Sequence, residues 1–304
     1  MIPRLIDSGW TRDQIQEQVH FTDGRIVSSD HRHPRREGRR ADYLLEDKGV
    51  TLAVVEAKRL FKLPGDGLQQ AIDYAGTLDL PLAYSSNGTS IVEHDFATGR
   101  ETHVERFPSP ATMRARWRVW RGITEDHTER ALGLPFSREL RAADGTVKTP
   151  RYYQRVAIDR SVQAILSGKR RVLLTLATGS GKTFVSLQIV WKLWTSRWKT
   201  DRNPRVLYLA DRNILIDQPI AREFRPVFGD AVMRLQGTRE TSREIYFALY
   251  QFWRTWPTPW GCSVTTPGTS STSSSWTSAI AGARATSPRG VGSWSISSRL
   301  RSSV

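Results

Sequence analysis

The sequence predicts an α/β chain of two folded units, on three observations. Short β-rich runs surround a helix-patterned segment before residue 105. Strand and helix patterns alternate with short connections from residue 151, and a glycine loop stands at a strand-to-helix junction at 177–183. A chain of 304 residues is long enough for two separate cores.

The first unit is expected over residues 1–105. Tyr43-Leu44-Leu45 and the run Val50 to Val55 read as strands, joined by a turn in Glu46-Asp47-Lys48-Gly49. Gly67 to Leu78 reads as a helix, with Leu68, Ala71, Ile72 and Ala75 at helical spacing. Pro81 to Ser85 and Ser90 to His94 read as closing strands around an Asn87-Gly88 turn. Residues 106–150 carry Pro108, Pro110 and Pro135 and read as a helical connector. Within it Trp117 and Trp120, at i and i+3, suit packing better than base stacking.

The second unit is expected over 151–251. Tyr152 to Leu166 reads as a helix and Val172 to Leu176 as a buried strand. The glycine loop follows, then a helix through Trp194, a buried strand Val206 to Leu209 and a further helix from Ile214. Strands alternating with helices over short connections imply a parallel sheet.

Residues 252–304 form a different kind of sequence. They hold no Asp or Glu, 22 of the 53 are Ser or Thr, and 5 of the chain's 11 Trp fall among them. No periodicity survives, so no independent fold is expected there.

The formal charge is +15, of which +5 comes from the tail (five Arg, no acid) and +10 from residues 1–251 (40 basic, 30 acidic). Such an excess favours a polyanionic partner, nucleic acid first, with a merely solvated surface as the plain alternative. Of the 45 basic residues 37 are Arg, a skew that a GC-rich gene would also produce. No run of about 18 apolar residues exists. The N-terminus from Met1 to Asp7 has no apolar signal segment, so a cytoplasmic location without a membrane partner is expected. The single Cys262 excludes an intrachain disulfide and a thiolate cluster, and His31 and His33 lack further zinc ligands at suitable spacing.

Two constellations carry chemistry. Phosphodiester cleavage needs a metal ion to activate water and neutralise the scissile phosphate, and Mg²⁺ prefers carboxylate oxygens. Glu56 and Lys58 are two apart at a strand end and share a side. A hairpin turning near 46–49 returns Asp42 towards Glu56, so Asp42 and Glu56 could hold one Mg²⁺ while Lys58 orients water or offsets developing charge. An acid-x-Lys triplet alone is weak evidence. Gln70 and Tyr74, at i and i+4 of the following helix, add a shared face behind the site.

The string Arg39-x-Ala41-Asp42-Tyr43, Glu56-Ala57-Lys58, Gln70-x-x-x-Tyr74 and Tyr84-x-x-Asn87-Gly88 resembles the nuclease domain of type I restriction enzyme motor subunits. The resemblance implies a restriction-endonuclease-like fold, with Asp42, Glu56 and Lys58 as its catalytic centre and Gln70 and Tyr74 supporting DNA cleavage. Ser85-Ser86 stands where that family often has Thr before Asn-Gly.

Ala177-Thr178-Gly179-Ser180-Gly181-Lys182-Thr183 follows a strand and opens a helix, the context in which backbone N–H groups cradle phosphates. Lys182 would reach the β/γ-phosphates of ATP and Thr183 would ligand Mg²⁺. Leu176 stands where the broader pattern has Gly, and this form resembles superfamily 2 helicases and translocases, which implies a RecA-like lobe. On the same resemblance Gln154, in Arg151-Tyr152-Tyr153-Gln154, would contact adenine. Leu207 to Arg212 resembles the next motor motif, with Arg212 either a DNA contact or a structural ion pair.

A motor of this kind also needs an Asp-Glu pair on a later strand. No acidic residue follows Glu244. The codon table offers a reason. Trp276 must be TGG and Thr277 ACN, so the straddling triplet is GAC, an Asp. With permitted synonymous codons, Gly268 to Gly282 becomes Asp-Phe-Phe-Asp-Leu-Val-Val-Val-Asp-Glu-Cys-His-Arg-Gly, a buried strand ending in Asp-Glu-Cys-His. That string resembles the second motor motif of type I motor subunits. Residues from about 252 are therefore read as frameshifted translation, by mutation or sequencing error, with a genuine Ser/Thr-rich extension as the alternative.

The resemblance covers roughly residues 1–251, and nuclease before motor argues against type III enzymes. It implies a restriction subunit that translocates double-stranded DNA with ATP and cuts it with Mg²⁺, alongside methyltransferase (M) and specificity (S) subunits. The rivals are a helicase-associated DNA repair nuclease and a non-catalytic DNA-binding remnant.

Overall fold

The computed structural model describes residues 1–22, 38–169, 171–197, 205–235, 242–249, 278–283 and 291–298. His31, His33, Cys262 and the stretch 250–277 lie outside these. The chain forms two compact units. The first joins Met1–Gly133 with Arg151–Val156, and the second joins Leu134–Pro150 with Ala157–Val304. Residues 106–150, expected as a connector, are thus shared between the two.

The first unit opens with α1 (Ile2–Ile6) and is built on a sheet of β1 (Ile15–Thr22), β2 (Arg39–Asp47), β3 (Val50–Ala57), β4 (Leu82–Ser86), β5 (Ile91–Asp95) and β6 (Arg100–Val104), in that spatial order. Every neighbouring pair is antiparallel except β3 and β4. That parallel pair needs a crossover, supplied by α2 (Leu68–Leu78). The β2–β3 hairpin is tight because Lys48 and Gly49 both adopt positive φ, 48° and 77°. Gly49 is needed twice over, since a Cβ there would meet the Gly133 carbonyl oxygen at 2.2 Å.

β3 is buried along nearly its whole length because both faces are covered. On one side Val54 packs with Ala41, Leu44, Ala71, Ala75 and Ala83 beneath α2. Against the sheet also lies α3 (Pro110–Arg121), capped by Ser109 with Pro110 in its first turn and Gly122 at φ 66° after its end. It buries Met113 and Trp117, so Trp117 is a packing residue. Arg114 ties α3 to Asp47 of β2 and to Glu129 of α4 (Asp126–Gly133). Arg116 forks onto Glu93 and Asp95 of β5 at 2.7 and 2.9 Å.

In the second unit the sheet order is β7 (Arg171–Ala177), β12 (Val291–Ser298), β11 (Ser278–Ala283), β8 (Arg205–Ala210), β10 (Ile245–Leu249), β9 (Val232–Arg234). β9, β10, β8 and β11 run parallel, whereas β12 runs antiparallel to both neighbours. The expected parallel sheet is therefore mixed. Two stretches of the Ser/Thr-rich tail join it as strands and do not form a separate body. β7, expected to be a buried strand, has a single strand partner at the sheet edge, and Leu173 on it is 67% exposed. The core lies under α6 (Lys182–Thr195), where Phe184, Leu187 and Val190 meet Tyr208, Phe224 and Phe247. α5 (Tyr152–Leu166) belongs to the first unit up to Val156 and to the second beyond it.

Candidate nuclease and nucleotide sites

The β2–β3 register pairs Tyr43 with Val55, which sets Asp42 across from Glu56. The Glu56 Oε1 accepts from the Asp42 backbone N–H at 3.4 Å, and the Ala57 N–H donates to Asp42 Oδ2 at 2.9 Å. Just past the end of β3, the Lys58 N–H donates to the Ser86 carbonyl at 2.8 Å, which extends the parallel ladder with β4 by one rung. The Lys58 ammonium lies 3.6 Å from Glu56 Oε2 and donates to Gln70 Oε1 at 3.1 Å. The Gln70 amide in turn donates to the Tyr74 hydroxyl at 3.1 Å. The five residues singled out in the sequence thus form one connected cluster, Asp42–Glu56–Lys58–Gln70–Tyr74.

Glu56 is 1% exposed. Burial, and next the neighbouring Asp42 charge, raise its carboxyl from the ordinary value to about 7, against a smaller opposing pull from Lys58. Two carboxylates crowded into a half-buried corner with one cation form a donor set suited to a hard divalent ion that keeps part of its water shell. Among the described residues no group of three or more His, Cys, Asp or Glu gathers, so Asp42 and Glu56 offer a two-carboxylate set whose remaining ligands would be water or backbone oxygens.

Three features here were not read from the sequence. Gly67 lies where a Cβ would come within 2.4 Å of Lys58 Cε and 2.6 Å of Ser85 Oγ, so its bare Cα leaves the path that the lysine occupies. Asn87 accepts from the Thr89 and Ser90 N–H groups at 3.2 and 3.0 Å and donates to the Lys62 carbonyl at 2.9 Å, which fixes the loop after Lys58. Gln18 of β1 donates its amide to Asp42 Oδ1 at 3.2 Å. The Asn-Gly dipeptide was a visible turn signal for the second of these. Gly67 and Gln18 carry no local signal. Behind the cluster Phe21 stands edge-on to Tyr74 at 5.0 Å, and the Arg39 guanidinium lies over the same ring at 6.0 Å.

In the second unit Gly179 and Gly181 adopt φ 78° and 80°, so the loop can turn sharply into α6. Gly181 is the N-cap and offers no side-chain acceptor to the first turn of N–H groups. The Lys182 ammonium donates to the Ala177 carbonyl at 2.8 Å, where the Ser180 hydroxyl also donates at 2.6 Å. Desolvation lowers the Lys182 pKa. Burial, and next the Glu223 charge, raise the pKa of Tyr208 on β8, with the Thr183 side chain acting in the opposite direction. Such an N-terminus can receive a phosphate from Thr178 to Thr183. Gln154 lies in the part of α5 that packs with the first unit, and its Oε1 accepts from the Arg151 N–H at 2.9 Å. Arg212 is exposed. Among the described residues no helix is long and apolar enough to cross a membrane.

Comparison with known proteins covers both units. Residues 147–254 match the family model described as "Type III restriction enzyme, res subunit". The EcoAI endonuclease subunit, a type I restriction enzyme component of Escherichia coli, is 38% identical over 260 residues, which is 83% of this chain and 31% of that subunit. The EcoKI endonuclease subunit of Escherichia coli strain K12 is 37% identical over 109 residues, 33% of this chain and 9% of that protein. A fragment structure described as an HsdR subunit of a type I restriction enzyme from Vibrio vulnificus YJ016 superposes with a TM-score of 0.69 at 44% identity, covering 82% of this chain and 45% of that one. The chain thus spans about a third of the length of the EcoAI subunit that it matches. Over most of its length it is a homologue of the endonuclease subunits of type I restriction enzymes.

Proposed function

We propose that the first unit is a Mg²⁺-dependent DNA nuclease and the second the front part of an ATP-driven motor lobe. Together they are part of a restriction subunit that moves along duplex DNA and cuts it. The connected cluster from Asp42 to Tyr74 carries this proposal. Asp42 and Glu56 would hold the cation, which when bound would neutralise charge on the scissile phosphate and polarise water. Lys58 sits beside Glu56, where its ammonium can orient that water or offset charge on the phosphate oxygens. Gln70, braced by Tyr74, holds the ammonium in place. Methyltransferase and specificity subunits would supply recognition of the DNA site, and the cytoplasm is the compartment such partners imply. The test is nicking of supercoiled plasmid in Mg²⁺. Loss of nicking in Asp42→Ala and in Lys58→Ala is expected; nicking that persists in both would show that this cluster is not the cutting centre, and no nicking by the wild type would leave only a DNA-binding remnant.

For the motor, Thr178 to Thr183 would bind the phosphates of ATP, with Thr183 as a ligand to Mg²⁺, and the family resemblance assigns Gln154 to the adenine. This chain holds no acidic residue after Glu244 to activate water, so it binds nucleotide without turning it over. The tail is frameshifted translation from about residue 252. In support, the family match stops at residue 254. The gene sequence across residues 245–304 decides it: codons unable to spell Asp-Glu-Cys-His in the shifted frame would refute the frameshift. DNA-stimulated ATP hydrolysis by this chain would refute the predicted lack of turnover.

A further inference from the structure

Gln18 is the one residue with positive φ, 52°, inside a strand of the first unit. On either side of it Glu17 pairs with Tyr43 and Val19 with Ala41, so Gln18 is the residue facing Asp42, and the β1–β2 ladder skips it. A left-handed backbone at a non-glycine residue is unfavourable, and mid-strand it also interrupts the ladder. Such strain persists where the surroundings over-determine it, and it clusters at functional sites. What this conformation accompanies here is a single contact, the amide Nε2 donating to Asp42 Oδ1 at 3.2 Å. The other oxygen of the same carboxylate, Oδ2, is held by the Ala57 N–H at 2.9 Å. Asp42 is therefore gripped by one donor from each flanking strand, and its carboxylate plane is set before any cation arrives. Each oxygen accepts one hydrogen bond in this arrangement and keeps a lone pair for a metal.

We infer that Gln18 is a positioning residue of the nuclease, which orients the Asp42 carboxylate for its cation at the cost of local backbone strain. The inference rests on the nuclease proposal above. Metal-ligand orientation by an outer donor affects metal affinity by about 10- to 100-fold in comparable sites. A residue with a purely structural role would change stability and leave the metal dependence alone.

The test uses the whole chain and three variants, Gln18→Gly, Gln18→Ala and Asp42→Ala, assayed for plasmid nicking across a Mg²⁺ titration and for Tm. Gln18→Gly removes the amide and relieves the backbone; Gln18→Ala removes the amide and keeps the strain. Both are expected to need about 10-fold more Mg²⁺ for half-maximal nicking. Gln18→Gly should melt about 2–4 °C above Gln18→Ala. Unchanged Mg²⁺ dependence in Gln18→Gly, with Asp42→Ala inactive, would overturn the positioning role and leave the nuclease intact. Full nicking by Asp42→Ala would overturn the nuclease itself.

Discussion

Asp42, Glu56, Lys58, Gln70 and Tyr74 reach one another from two strands, a loop and a helix, whereas Thr178 to Thr183 form a single local turn in the second unit. The first arrangement depends on strand register. A slip of one residue between β2 and β3 would send Asp42 to the opposite face of the sheet from Glu56. It is wired by hydrogen bonds and a close ion pair from Glu56 to Tyr74. The second arrangement depends on two left-handed glycines and a helix start, and its lysine donates to the Ala177 carbonyl of its own loop. On the proposed function, nucleotide binding has to redirect Lys182, while a cation in the first unit would meet side chains already in position.

Four measurements can break or sharpen this contrast. The largest effect is expected from the pair Lys58→Ala and Lys182→Ala. Lys58→Ala should cut nicking by about 100-fold or more and leave binding of a fluorescent ATP analogue intact. Lys182→Ala should do the reverse, and loss of both functions in either variant would show that the sites are not independent. Next comes Gly67→Ala. The new methyl takes the space of Lys58 Cε, so nicking should fall by about 10- to 100-fold while circular dichroism shows the fold retained. Wild-type nicking there would mean that the wiring tolerates a displaced lysine.

The pH dependence is smaller. The folded value for Glu56, about 7, lies above its unfolded one, so the native state holds the extra proton in between. The associated stability is fully present below about pH 4.5 and is lost as pH rises through 7, on the order of 2 kcal/mol once screening is allowed for. In metal-free buffer, denaturant midpoints should fall between pH 5 and 8 in the wild type, with this component absent in Glu56→Gln. The smallest effect belongs to Tyr74→Phe. It removes one hydrogen bond to Gln70 and keeps the Phe21 contact, a cost of about 1 kcal/mol or roughly 5-fold in nicking. A larger loss would place the hydroxyl nearer the chemistry.

The same contrast explains what was legible in the sequence. The glycine loop was readable because every group it needs is contiguous. The hairpin and α2 were readable because their patterns are local, and they brought Asp42, Glu56, Lys58 and Gln70 within reach on paper. β6 was missed because Arg100–Val104 is a polar, exposed edge strand without alternation. β1 was missed for a similar reason, since most of its outward residues are polar and its left-handed Gln18 breaks the period. β7 was expected to be buried because its residues are apolar; edge position is a property of the sheet and not of the strand. Gly67 looked like an ordinary helix start. Its use lies in the space it leaves for a side chain nine positions earlier, which no local pattern records.

The approach of Gly49 and Gly133 bears on where this protein could be divided. A Cβ on Gly49 would strike the Gly133 carbonyl, and one on Gly133 would strike the Lys48 carbonyl at 2.4 Å, so the hairpin tip and the end of α4 fit as mutual templates. Arg114 adds a clamp from α3 to Asp47 of that hairpin, and Arg155 reaches Thr51 on β3. A first unit excised at residue 105 would bare the apolar side from which Met113 and Trp117 had been stripped, and would leave Asp47 and Glu93 without their arginines. The smallest piece able to stand as an independent reagent therefore runs at least to Gly133, well past the last strand of the sheet that carries the Asp42–Tyr74 cluster.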